Sequence, residues 1–181
     1  VLDGQLPVVS AQPANRTICA ASNATFSVTS TNVVTYQWQL WSGTAWLNIN
    51  GANSSSYTVS NVNSSMNGNT FRVVLNGLCT VVNSSAASLF VNPLPTILVS
   101  TTGTSQLLPG QRTGVTANIS PTGGSFVWTL NGTTINNASG PTITPITVDG
   151  AGTYQAVYTD LNGCSITSTP LVISAQQSDR L

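Results

Sequence analysis

The sequence predicts an all-β chain built as two small antiparallel sandwiches in tandem, and three observations lead there. No segment places apolar residues at helical spacing. Short runs rich in Val, Thr, Ile and aromatic residues alternate in polarity and are cut by Asn-Gly, Gly-Gly and Asn-Ser clusters, the pattern of strands and turns: ATFSVTS, VVTYQWQLW, SYTVSNV, TFRVVLNG, SFVWTLNG and TYQAVYTD. Finally, the order of landmarks in the first half recurs in the second.

In the first half Phe26 is followed by Tyr36-Gln-Trp38, then by Gly68-Asn-Thr-Phe71 through Gly77-Leu-Cys79, and finally by Leu89-Phe-Val91. The second half runs Val115, Phe126-Val-Trp128, Gly152-Thr-Tyr154 through Asn162-Gly163-Cys164, and Leu171-Val-Ile173. Two domains follow, at residues 1–92 and 93–181, each large enough for one small core. Pro93 and Pro95 mark the boundary, because proline stiffens a linker and stops strand pairing.

Composition narrows the chemistry. The 181 residues hold four arginines and four aspartates but no lysine, glutamate or histidine. The carboxylates Asp3, Asp149, Asp160 and Asp179 are the only candidate general bases, and neither a Ser-His-Asp nor a Cys-His arrangement can be built. We therefore expect no catalysis, no catalytic residue and no cofactor. The cysteines Cys19, Cys79 and Cys164 are spread too widely for a zinc site, so no metal is expected. Zero net charge with scattered arginines excludes a run of phosphate contacts and thus nucleic acid. No apolar run approaches the roughly 20 residues that cross a bilayer. The opening VLDGQLPVVS lacks the basic start and apolar block of a signal peptide, as in a mature fragment. With 40% hydrophobic residues the chain folds, and its surface depends on Ser, Thr, Asn and Gln, which suits a secreted protein.

The YQWQ strand, Trp46, Ile49-Asn-Gly51, Asn69-Thr-Phe71-Arg72 and Gly77-Leu-Cys79 resemble the immunoglobulin-like (Ig-like) modules repeated in large secreted or surface proteins of Bacteroidetes-type bacteria. AGTYQAVYTDLNGCSIT resembles the Ig-like or PKD-like modules of the same proteins, and Asp149-Gly-Ala-Gly152-Thr-Tyr154 looks like the tyrosine corner of such sandwiches. The resemblance implies a non-catalytic spacer or interaction unit of a larger adhesin-like protein, outside the cell. Its partners would be neighbouring domains of the parent, and a glycan or another surface protein. The alternative function is a carbohydrate-binding accessory module of a secreted hydrolase. Strand alternation puts Val73 and Ala156 where antibody-type domains carry the second core cysteine, so no core disulfide is expected. Cys19 and Leu108 each lie seven residues before the first core strand's landmark. We expect a Cys19–Cys79 disulfide, closing a loop of about 60 residues and contributing about 2–4 kcal/mol, with Cys164 left over as a half-buried thiol.

Three tryptophans crowd TYQWQLWSGTAWLNING, residues 35–51. A turn at Ser42-Gly-Thr-Ala45 sets Trp41 opposite Trp46, Leu40 opposite Leu47 and Trp38 opposite Ile49. Alternation then gives a core face of Tyr36, Trp38, Leu40, Leu47 and Ile49, with Trp128 core in the second half. It also gives an outer face on which Trp41 and Trp46 stand beside Gln37, Gln39 and Asn48. That face reads in three ways: a glycan platform, packing of an aromatic pair against a neighbouring element, or a protein contact. Eight Asn-X-Ser/Thr sequons (Asn15, Asn23, Asn53, Asn63, Asn83, Asn118, Asn131 and Asn137) are expected from composition, and a bacterial source would leave them bare. Asp160-Leu-Asn162-Gly163 lacks a full calcium ligand series and reads as a turn. Without lysine no Lys-Asn isopeptide bond can form, and no regular Thr array suggests ice binding.

Overall fold

A computed structural model describes residues 6–176. Contacts divide the chain into two compact units, the first ending at Pro93 and the second beginning at Leu94.

The first unit contains β1 (Val8–Ala11), β2 (Arg16–Cys19), β3 (Ala24–Ser27), β4 (Thr29–Thr31), β5 (Thr35–Trp41), β6 (Trp46–Asn48), β7 (Ser56–Val59), β8 (Thr70–Asn76), β9 (Val81–Asn83) and β10 (Ala87–Asn92). One sheet runs β2-β10-β8-β5-β6, with β9 also on β8; β3 pairs with β7 and β1 with β4. Alternation decides the inside: along β8, Phe71, Val73 and Leu75 are buried while their neighbours are half-exposed. They meet Ala24 and Phe26 of β3 and Val59 of β7 in one core around Trp38. Trp38 is fully buried and its indole N–H donates to the Ser54 carbonyl at 2.9 Å, which removes the penalty of burying that donor.

The second unit repeats the plan with β11 (Thr96–Thr101), β12 (Gln106–Leu107), β13 (Thr113–Ser120), β14 (Ser125–Leu130), β15 (Thr133–Thr134), β16 (Thr142–Ile146), β17 (Gly152–Thr159), β18 (Ser165–Thr167) and β19 (Leu171–Ala175). Its sheets run β12-β19-β17-β14-β15, with β18 also on β17, and β11-β13-β16. Trp128 is fully buried opposite Ala156 and donates to the Gly140 carbonyl at 2.8 Å. Val73 faces Trp38 in the same way, so both positions of the expected missing core disulfide hold small apolar side chains. Tyr154 forms the anticipated corner: its hydroxyl donates to the Gly150 carbonyl at 2.7 Å. Burial by desolvation holds its pKa above the ordinary tyrosine value. Both units are thus all-β, Ig-like sandwiches.

One device in both units escaped the sequence reading. β9 and β10 are a single strand broken after Asn83, as β18 and β19 are broken after Thr167. At each break a buried serine substitutes for ladder bonds. The Ser84 hydroxyl accepts from the Val73 N–H at 2.9 Å and donates to the Ser85 carbonyl at 2.8 Å. The Ser168 hydroxyl accepts from the Ala156 N–H and donates to the Thr169 carbonyl, both at 3.0 Å. These bulges satisfy backbone groups beside each core tryptophan.

Candidate interaction face

The β5–β6 hairpin adopts the register read from its turn, with Trp41 opposite Trp46, Leu40 opposite Leu47 and Gln39 opposite Asn48. Ser42 closes the turn, donating from its hydroxyl to the Ala45 carbonyl at 2.8 Å and accepting from the Ala45 N–H at 3.0 Å. Leu40 and Ile49 are partly buried against the core. Leu47 is a correction, being 54% exposed. β6 is a three-residue edge strand.

On the outer side the Trp41 and Trp46 rings meet at 5.3 Å between centroids, tilted by 54°. Trp41 is 40% exposed and Trp46 half-buried. The Arg72 guanidinium lies 4.4 Å from the Trp46 ring centroid, a cation–π contact that the spacing in sequence did not reveal. From β8, opposite Gln39, Arg72 Nε donates to Gln39 Oε1 at 2.8 Å, and Gln39 Nε2 donates in turn to Asn48 Oδ1 at 2.8 Å. Gln37 Nε2 donates to the Trp38 and Ile49 carbonyls at 2.9 and 2.8 Å. Every predicted face residue is therefore here, with Gln37 Nε2, both ends of the Gln39 amide and Asn48 Oδ1 bonded to one another, to Arg72 or to backbone.

The cysteines depart from expectation. Cys19 and Cys164 are both disulfide-bonded, whereas Cys79 is a free, exposed thiol. The expected Cys19–Cys79 bond is thus overturned, and Cys164 is no half-buried leftover thiol: it is fully buried. The reason is strand direction. β2 runs parallel to β10 and puts Cys19 level with Asn92, past the first residue of β8. Cys79 lies past the last residue of β8, at the other end of the sandwich. Seven strand residues separate the ends by about 20 Å, and a disulfide needs Cα atoms within about 7 Å.

Asp160 is buried and its Oδ1 accepts from the Asn162 and Cys164 N–H groups, each at 2.9 Å, so it organises a turn. Asp149 is exposed in a short 3-10 turn, Val148–Gly150. Asp3 and Asp179 lie outside the described residues. Among the described residues no three His, Cys, Asp or Glu side chains group to hold a metal. No helix among them is long and apolar enough to cross a membrane.

Residues 9–93 match the family model of a domain of unknown function (DUF8696). The curated proteins give no match. Among solved structures, a three-domain immunoglobulin fragment from the I-band of titin aligns with a TM-score of 0.53 at 12% identity, over 94% of this chain and 66% of the fragment. An E-to-A mutated variant of the same three titin domains gives the same values. At that identity the likeness establishes the fold: this chain is a tandem of Ig-like modules. It spans about two thirds of the fragment's length.

Proposed function

We propose that the pair is a non-catalytic, load-bearing spacer within a larger secreted or cell-surface protein of adhesin-like architecture. The observation that carries this reading is the pairing of each module's ends. In the first, β2 lies parallel to the last strand β10, from Leu89 opposite Arg16 to Asn92 opposite Cys19. In the second, β12 lies parallel to β19 through Gln106 opposite Ser174 and Leu107 opposite Ala175. Tension applied to a module's two termini then loads these hydrogen bonds lengthwise and all together, whereas a hairpin pulled at its open end would unzip one bond at a time. Disulfide-bonded cysteines support an oxidising compartment and hence the extracellular location. The resemblance to repeated bacterial surface modules supports the adhesin-like parent.

Single-molecule pulling of the chain in reducing buffer tests the reading. We expect two discrete unfolding events, each releasing about 30 nm of chain for some 85–90 residues, with the four-rung first module yielding at the higher force. Extension without resolved force peaks would overturn the proposal. The carbohydrate-binding alternative gains no observation of its own.

A further inference from the structure

Asparagine is among the thermolabile residues, and most so before glycine, where no Cβ shields the following main-chain nitrogen from the asparagine side chain. The sequence holds five Asn-Gly pairs, beginning at Asn50, Asn67, Asn76, Asn131 and Asn162. The fold restrains four of them. Asn67 Oδ1 accepts from the Val91 N–H and the Gly68 N–H donates to the Leu89 carbonyl, both at 2.8 Å. Asn76 Nδ2 donates to Thr35 Oγ1 at 3.0 Å, and the Gly77 N–H to the Thr80 carbonyl at 2.8 Å. Asn131 Oδ1 accepts from the Thr153 N–H at 2.9 Å. In the last pair the Gly163 N–H donates to the Asp160 carbonyl at 3.1 Å, and the Asn162 N–H to Asp160 Oδ1 at 2.9 Å.

The first pair has no such restraint. Asn50 and Gly51 are exposed, and among the described residues neither the Asn50 side chain nor the peptide group joining the two makes a hydrogen bond. They are the central residues of a turn closed by the Ala52 N–H on the Ile49 carbonyl at 3.2 Å, with Gly51 at φ +74°. This turn clasps the core tryptophan: the Ile49 N–H donates to the Trp38 carbonyl and the Trp38 N–H to the Ala52 carbonyl, both at 2.9 Å. The second module has the corresponding segment without the glycine. There the Ile135 N–H donates to the Trp128 carbonyl at 2.8 Å, and Asn137 stands at φ +70° within Ile135-Asn136-Asn137-Ala138. One clasp sets an unhindered nitrogen beside an unbonded side-chain amide, and the other carries a side chain at the matching place.

We propose that Asn50 is a deamidation site, and that its conversion loosens the first module from the Trp38 clasp outward. Solvent base takes the proton from the Gly51 N–H, and the nitrogen attacks Asn50 Cγ. The C–N bond of the side-chain amide breaks, and its nitrogen leaves as ammonia with a proton from water. A second water then opens the five-membered imide. Cleavage between the Gly51 nitrogen and Cγ gives aspartate, whereas cleavage between that nitrogen and the main-chain carbonyl carbon gives isoaspartate. In sum, water is taken up and ammonia released, with no oxidation or reduction. Isoaspartate lengthens the main chain between Ile49 and Ala52 by one carbon, so the two hydrogen bonds that hold the Trp38 backbone lose their common register. This chemistry is independent of the load-bearing reading.

The test is ageing of the chain at mildly alkaline pH, below its first unfolding transition and with Cys79 alkylated beforehand. Peptide mapping then separates asparagine, aspartate and isoaspartate at each site. In the native chain Asn50 should convert about tenfold faster than the other four Asn-Gly sites, which must first break a hydrogen bond. In denaturant the five rates should converge. Calorimetry of the aged chain should show the first module's transition lowered in proportion to the isoaspartate formed and the second module's unchanged. Gly51→Asn is the control, because it copies Asn137 and a Cβ at this position meets nothing within 4 Å. It should slow conversion and leave the first transition where it began. Native conversion at Asn50 no faster than at Asn131 or Asn162 would overturn the proposal. So would a site order that persists in denaturant, or a first transition unmoved by isoaspartate at residue 50.

Discussion

At matched positions the two modules solve the core identically and the hairpin next to it differently. Trp38 faces Val73 and Trp128 faces Ala156, and each indole donates to a backbone carbonyl two residues before the next strand of the opposite sheet, Ser54 or Gly140. Beyond those rungs the first module runs on through Trp41, a four-residue turn and Trp46. The second turns back at Asn131-Gly132, both at positive φ as a tight two-residue hairpin turn requires. Thr129 and Gln155 stand where the first module has Gln39 and Arg72. The aromatic and cationic cluster is therefore an addition to one copy, and nothing in the shared fold demands it. Only properties tied to the shared rungs should respond alike in both modules.

The largest effect should come from the indoles at the common core. Trp38→Ala or Trp128→Ala should each destabilise its own module by about 3–5 kcal/mol, read as the loss of one of two unfolding transitions in calorimetry or denaturant titration. If both substitutions shift both transitions equally, the modules are not independent units and the comparison fails. The serine bulges come next. Ser84→Ala and Ser168→Ala each strand a buried N–H, of Val73 or Ala156, and should cost about 1–3 kcal/mol in their respective transitions. Similar losses in the two modules would confirm that the bulge is a shared device.

The limits of what the sequence reveals follow from range. Trp38, Trp128 and the Trp41–Trp46 register were legible because they depend on alternation and one turn, information within about a dozen residues. Tyr154 was legible from a local motif. The serine bulges were not, since Ser84 and Ser168 are two among many serines and each acts across its strand on residue 73 or 156. Arg72 over Trp46 depends on a neighbouring strand 26 residues away in sequence. The cysteine error has the same origin. Nothing near Cys19 says that β2 runs parallel to a strand 73 residues later, and that direction alone sends Cys19 to the opposite end from Cys79.

Smaller effects separate the copies. Tyr154→Phe removes the corner hydrogen bond from the second module, where the first already has Phe71, and should cost about 1 kcal/mol. Because burial raises the Tyr154 pKa in the folded state, the stability linked to its hydroxyl is present in full below about pH 10. It is lost as pH climbs from there through the raised folded value. The second module should lose stability in that alkaline window, and Tyr154→Phe should abolish this residue's contribution. An alkaline slope unchanged in the variant would assign the effect elsewhere.

The smallest expected effect is at the face that differs most visibly. Trp41→Ala removes one ring of an exposed cross-strand pair and should cost about 1 kcal/mol or less, confined to the first module's transition. Arg72 would keep its contacts to Trp46 and Gln39, so the guanidinium should stay ordered. On the proposed spacer reading, this face should give no saturable change in tryptophan fluorescence against soluble polysaccharides and their oligosaccharides, in the wild type or the variant. A saturable change lost on Trp41→Ala would mean that the hairpin extension is a binding addition to a load-bearing pair. The added rungs of the first module would then have a ligand to explain them.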